Sequence, residues 1–289
     1  MIVHPTDFTA AGASAFAHAV AIALAAKSQL CLLHVREEDA PPPGKSEFKH
    51  VRDVLANWNM LEKDAPPVAI EKQLGLRVSS VSVPAKNART GILDYLDDHP
   101  CDLVVLATHE AKGKNRWFDV SVERGILRKV RIVSLFLRDG AKGFVDLETG
   151  EVSLKKVLIP IDGRLDCIAA VARLKARLEV LAPGAKIQLL HVGESASDML
   201  HEQARSLDLP IIIRTGPVAD TIFEVARTLK VNLIAMPTAG RHGLLDALRG
   251  STTARVLEDA RWPLLSIPVI GATMPDEQIS RELAGLHAP

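Results

Sequence analysis

Short, nearly continuous apolar runs alternate along this chain with longer stretches in which apolar positions return every third or fourth residue. The runs suit strands buried on both faces, and the stretches between them suit packed helices. In the first half the pattern predicts strands at residues 2–7, 29–35, 80–83, 103–106 and 132–137, with helices over 10–27, 90–98 and 121–129. From residue 157 the same order returns in nearly the same words. IVHPTD at 2–7 is matched by VLIPID at 157–162, and QLCLLHV at 29–35 by KIQLLHV at 186–192. Further strands are predicted at 211–214, 233–236 and 264–269, and helices over 164–182, 221–229 and 252–260. The chain therefore reads as a tandem duplication with an offset of about 155 residues (157 − 2). Alternating strands and helices build parallel βαβ units, so the expected fold is α/β, with two tandem doubly wound, mostly parallel open sheets.

The two copies differ in one long insert. Residues 37–77 of the first carry a proline run and a helix predicted around 48–61, whereas the second crosses the same gap in the 18 residues 193–210. The boundaries that follow are a first domain at 1–138 and a linker hairpin at 139–154, turning at Glu148-Thr149-Gly150. A second domain follows at 155–271, then a polar tail at 272–289, in which 279–286 has room for a turn or two of helix. The last strands, RIVSLFL and LLSIPVI, are apolar edges, and an edge with open N–H and C=O groups seeks a partner. Pairing within one chain would satisfy both edges.

Composition narrows the function classes. Thirty-five Lys and Arg cancel 35 Asp and Glu, so no global field favours nucleic acid or an anionic membrane. Cys31, Cys101 and Cys167 are far apart, without CxxC spacing, and read as small hydrophobes in a reducing compartment. The opening MIVHPTDF has no basic-then-apolar leader, and the Ala-rich stretch 10–26 is too short and interrupted for a membrane span, so a cytoplasmic location is expected. Trp58, Trp117 and Trp262 are isolated and form no platform for single-stranded nucleic acid. The ten histidines show no HExxH or HxH spacing, so no metal site is expected. His34 and His191 recur at the same strand end and read as satisfied, half-buried side chains. Gly44-Lys45-Ser46 resembles the end of a P-loop, but Asp39 stands where its first Gly is needed. No nucleophile elbow, triad or carboxylate pair is present, so no catalytic residue is assigned.

The chemistry concentrates in 231–252, VNLIAMPTAGRHGLLDALRGST. An apolar strand, expected to stop at Pro237, leads to Gly240, then nine residues (241–249), then Gly250-Ser251-Thr252 at a helix start. Ser251 or Thr252 would be the N-cap. A helix start offers unsatisfied N–H groups and the positive end of the dipole, which suits phosphate. The same residues also suit a plain loop end and helix cap.

Both halves resemble the universal stress protein family, small α/β domains related to the adenine-nucleotide α-hydrolase group. The tandem order resembles its two-domain members, and because members commonly associate through their last strands the resemblance implies that RIVSLFL and LLSIPVI pair as an internal pseudo-dimer, leaving another surface for a homodimer. The most specific match is the family signature G-x2-G-x9-G-[S/T], met here from Pro237 through Gly240 to Gly250-Ser251. The resemblance implies binding of ATP or another adenine nucleotide, with or without Mg, in the second half. By position it places Pro160, Ile161 and Asp162 at the first-strand end, Val192 at the second, Met236 and Pro237 at the signature's start, and Gly240, Gly250, Ser251 and Thr252 around the phosphates. Arg241, His242 and Arg249 lie in the same loop and suit either a phosphate or solvent. Pro237 departs from the family's first Gly, because it has no N–H and a fixed φ. The first half departs further: Glu110 and Val120 replace two signature glycines and oppose an anion by charge and bulk, although Asp7 is retained. That half is expected to be a structural partner. The leading reading is a stress-response protein that binds the nucleotide as a regulatory module. The alternatives are an interaction protein with both sites lost, and a slow ATP or phosphoester hydrolase.

Overall fold

A computed structural model describes residues 1–36, 47–108, 132–138, 141, 143–161, 167–239, 255–256, 259 and 261–269, with the side chains of 47–50 and 239 outside the description. Ten strands form one sheet in the order β3-β2-β1-β4-β5-β10-β9-β6-β7-β8. They are β1 (Ile2–Pro5), β2 (Leu30–Arg36), β3 (Val78–Pro84), β4 (Leu103–Thr108), β5 (Val133–Arg138), β6 (Lys156–Pro160), β7 (Lys186–Val192), β8 (Ile211–Arg214), β9 (Leu233–Ala239) and β10 (Leu264–Val269). Each half repeats the same doubly wound order, and its neighbours run parallel. The exception is the seam, where β5 and β10 pair antiparallel with Leu264 opposite Phe136, Leu265 opposite Leu135 and Ser266 opposite Ser134. The two apolar last strands thus cover one another, as their edge chemistry requires.

Helices lie on both faces. One face packs under α1 (Ala13–Ala25), α2 (Glu47–Asn57), α3 (Val68–Leu74), α5 (Ile168–Leu181) and α6 (Asp198–Ser206); the other packs under α4 (Ala88–Asp98) and α7 (Val218–Leu229). Strand alternation sends Ile2, Leu30 and Val105 to the first face and Val3, Cys31 and Val104 to the second. The halves also meet through α5, where Arg177 donates Nη1–H to the Asp102 carbonyl at 3.2 Å. No helix among the described residues is long and apolar enough to cross a membrane. Cys31 and Cys167 are buried, and burial pushes the half-covered Cys101 thiol up to about 12.

Several elements differ from the sequence pattern. The first helix opens as a 3-10 turn at Ala10–Gly12. The insert holds a second helix, α3, which the pattern did not predict: Pro66 and Pro67 introduce it, and proline suits a helix start because the N–H it lacks has no helical partner there. The strand expected to end at Pro237 runs on to Ala239. The helix predicted at 121–129, Gly44-Lys45-Ser46, Glu110, Val120 and the tail after 269 lie outside the described residues.

Between β5 and β6 the chain is held as a strap. Val145 and Val152 form an isolated antiparallel bridge around a turn in which Asp146 Oδ1 accepts from the backbones of Glu148 and Thr149. Trp58, just after α2, donates its indole N–H to the Leu147 carbonyl at 3.0 Å. Gly150 lies against that ring with φ +73°, and a Cβ there would sit 2.4 Å from the indole. Gly150→Ala is therefore expected to cost about 2 kcal/mol, from overpacking and the left-handed backbone together. Urea unfolding checks this, and a neutral substitution would show that the strap is not seated on Trp58.

Candidate functional site

In open α/β sheets the ligand crevice lies at the carboxyl ends of strands where the strand order reverses. That point falls between β6 and β9 in the second half and between β1 and β4 in the first. Proline opens both. Between β6 and β9 the registered pairs end at Val157–Leu233 and Leu158–Ile234. Ile234 donates its N–H to Pro263, toward β10, so by alternation the backbone groups of Ala235 and Pro237 turn toward β6. The next two ladder bonds would run from the Pro160 nitrogen to the Ala235 carbonyl and from the Pro237 nitrogen to the Pro160 carbonyl. Neither nitrogen carries a hydrogen. The strands must part there, and the carbonyls of Pro160 and Ala235 lose their ladder donors.

Pro237 tolerates its place within β9 for the same reason. Its nitrogen faces the gap, while its neighbours Met236 and Thr238 stay registered to Ser266 and Pro268 of β10. Thr238 sits on Ser266, hydroxyl to hydroxyl, at 3.2 Å. Strand alternation puts Pro160 on the face of Met236, and Val192 packs against that same apolar cluster. Ile161 lies on the opposite face. It donates to the Leu190 carbonyl at 2.8 Å, and its own carbonyl accepts from His191 Nδ1 at 3.2 Å. Of the described part of the predicted set, Pro160, Val192 and Met236 share one face at the carboxyl ends of β6, β7 and β9, with Pro237 next in the chain, while Ile161 sits on the opposite face. Asp162, Gly240, Arg241, His242, Arg249, Gly250, Ser251 and Thr252 lie outside the described residues.

The first half shows the same opening and a different answer to it. Pro5 occupies the position of Pro160, and the β1–β4 pairs end at Val3–Val104. The Val105 carbonyl, which would have bonded the residue-5 nitrogen, accepts instead from His4 Nδ1 at 2.8 Å. Sequence reasoning missed His4. Its counterpart at 159 is Ile, which has nothing to donate, so the acceptor in the second half stays open. Burial pushes the His4 pKa down to about 4, and its Nε2 has no hydrogen-bond partner among the described residues. Asp7 is engaged locally: its Oδ1 accepts from the Thr9 backbone at 3.0 Å and from the Thr9 hydroxyl at 2.8 Å. His34 repeats the contact of His191, with Nδ1 on the Thr6 carbonyl at 3.0 Å, as the reading of satisfied histidines anticipates. A cavity of about 360 Å³ lies beside this end, between the start of α1 and α2, lined by Thr6, Phe8, Phe16 and Asp53 among others. Neither Asp7 nor β4 lines it.

The sequence model of the universal stress protein family matches residues 1–135 and 194–268. Among curated proteins, universal stress protein A homolog 2 of Coxiella burnetii is 33% identical over 82 residues, which is 27% of this chain and 56% of that protein. The chain thus spans little more than half the length of that relative. Among solved structures, a universal stress protein from Archaeoglobus fulgidus is similar with a TM-score of 0.64 at 16% identity, over 93% of this chain and 98% of that one. A functionally unknown protein from Pseudomonas aeruginosa PAO1 reaches 0.61 at 18% identity, over 99% and 97%.

Proposed function

The chain belongs to the universal stress protein family, and from that premise we propose that its second half binds ATP or a related adenine nucleotide in the crevice between β6 and β9, as a regulatory module. What supports the reading is the pair of prolines, Pro160 and Pro237, which part the strands at the switch point and leave two carbonyl acceptors turned into the gap. An adenine amino group is the kind of donor that such acceptors take, and Met236 and Val192 supply an apolar wall for a base. Asp162 would hold the ribose, and Gly240, Gly250, Ser251 and Thr252 the phosphates, with Arg241 and His242 beside them. A magnesium ion would accompany the phosphates. The first half is the structural partner in this proposal, since His4 already takes the acceptor that its crevice would offer.

Calorimetric and thermal-shift titration with ATP tests the reading. A saturating nucleotide at a hundred times its Kd should raise stability by about 2.7 kcal/mol, and Gly250→Glu should remove that gain. No heat and no shift, or an equal response from the variant, would instead favour a protein that has lost both sites. One observation already weighs on that side: the residue in the family's first Gly position, Pro237, is in register with Ile267 as part of a strand.

A further inference from the structure

Among the described residues, the imidazole of His18 fastens the strap between the halves to α1. His18 is fully buried, and its Nδ1–H donates to the Ser14 carbonyl one turn back at 2.7 Å. That fixes the tautomer and leaves Nε2 as an acceptor. Nε2 accepts two strap N–H groups, Phe144 at 2.9 Å and Val145 at 3.2 Å. The Phe144 ring stands edge-on to the imidazole with centroids 4.5 Å apart, and the Gly143 backbone is so close that a Cβ would lie 2.2 Å from Cε1. A protonated imidazole has no lone pair at Nε2. It would lose both bonds at once and set a cation against two buried N–H donors.

We propose that His18 is an acid-operated latch: neutral, it fastens the strap to α1, and protonated, it lets residues 143–150 go while the ten-stranded sheet stays paired. Among the described residues no charged neighbour offsets the switch. Helix α1 carries no ionisable side chain besides His18. The strand residues on the face of α1, Leu103, Val105, Ala107, Leu135 and Leu137, are apolar. On the strap, Asp146, Glu148 and Glu151 are exposed, and on α5 Arg173 and Arg177 donate to the carbonyls of Pro268 and Asp102. Burial holds the His18 pKa down to about 4 from 6.5, so the latch is shut at neutral pH. Release returns the ring to water, and acid therefore favours the open form as pH falls from 6.5 toward 4. The expected change in the open-to-closed ratio between pH 6.5 and 4 is roughly 80-fold, rising toward 300-fold only below pH 4.

Trp58 is a built-in reporter, because its indole bonds the strap at Leu147. In the full chain with Trp117→Phe and Trp262→Phe, its emission should shift to the red between pH 6.5 and 4 while far-UV circular dichroism holds. The same chain carrying His18→Gln should show no transition in that window. Hydrogen exchange on the unmodified chain gives a second reading that does not depend on a variant folding. The Phe144 and Val145 amides should lose protection by roughly the same 80-fold relative to amides of β10 between pH 6.5 and 4. The latch is overturned if the Trp58 transition survives in His18→Gln, or if the strap amides keep their protection at pH 4 or lose it only together with β10.

Discussion

Replacing Phe136 with alanine should lower stability by about 3–5 kcal/mol, the range for deleting a buried aromatic side chain without collapse of its site. Phe136 is 2% exposed and stands opposite Leu264 across the antiparallel seam. It packs in a cluster with Leu106 and Val104 of the first half and Leu158 and Ile234 of the second. A cavity there is therefore shared by both halves. Urea unfolding followed by circular dichroism should show one transition moved to lower denaturant. A loss below about 1 kcal/mol, or a transition split so that only one half responds, would contradict a common core at the seam.

Stability should also fall as the medium is acidified, and His4 is a named cause. Its folded pKa is depressed to about 4 from 6.5, so the native chain refuses a proton that the unfolded chain accepts. The stability tied to neutral His4 is complete above pH 6.5 and is lost as pH falls through 4, by about 3 kcal/mol at the end of the window. His4→Ile, which copies the residue found at 159, removes this dependence but strips the Val105 carbonyl of its donor, at about 1–3 kcal/mol. The variant should be weaker than the parent at pH 7 and equal or stronger near pH 4. His18 contributes alike to both chains, so the comparison isolates His4. Stability curves that stay parallel from pH 7 to 4 would refute the assignment.

The repeat made the fold legible, because IVHPTD and VLIPID place equivalent strands without any tertiary information. The resemblance to the family pointed to the pairing of RIVSLFL with LLSIPVI, and their apolar edges gave it a physical reason. Pro237 shows where such reasoning stops. A proline ends a strand when its nitrogen faces a partner, and only the register with β10 reveals that this one faces a gap. The importance of Pro160 has the same origin, since two prolines disable a ladder only when they oppose each other across it. His4 was silent in the sequence because its role depends on Pro5 denying a neighbouring strand its donor. Helix α3 was hidden by the prolines that begin it. Pro160, Val192, Met236 and Pro237 could be read from position and lie at the carboxyl ends of β6, β7 and β9, with Ile161 on the opposite face, while the contribution of Asp162 and the glycine loop rests on the nucleotide titration.

The β5–β10 seam has a further consequence, for how the two halves are able to change. In a symmetric pair of separate chains every substitution appears twice, so an altered site is altered on both sides of the interface. Here the partners are encoded one after the other, and the tether keeps each at high effective concentration for the other whatever its own sequence does. One half can then take on a histidine where the other keeps isoleucine, or acquire an inserted helix that grips the strap. The strand pairing that joins them asks only that Phe136, Leu135 and Ser134 continue to meet Leu264, Leu265 and Ser266. Inequality between the halves is what this joint permits.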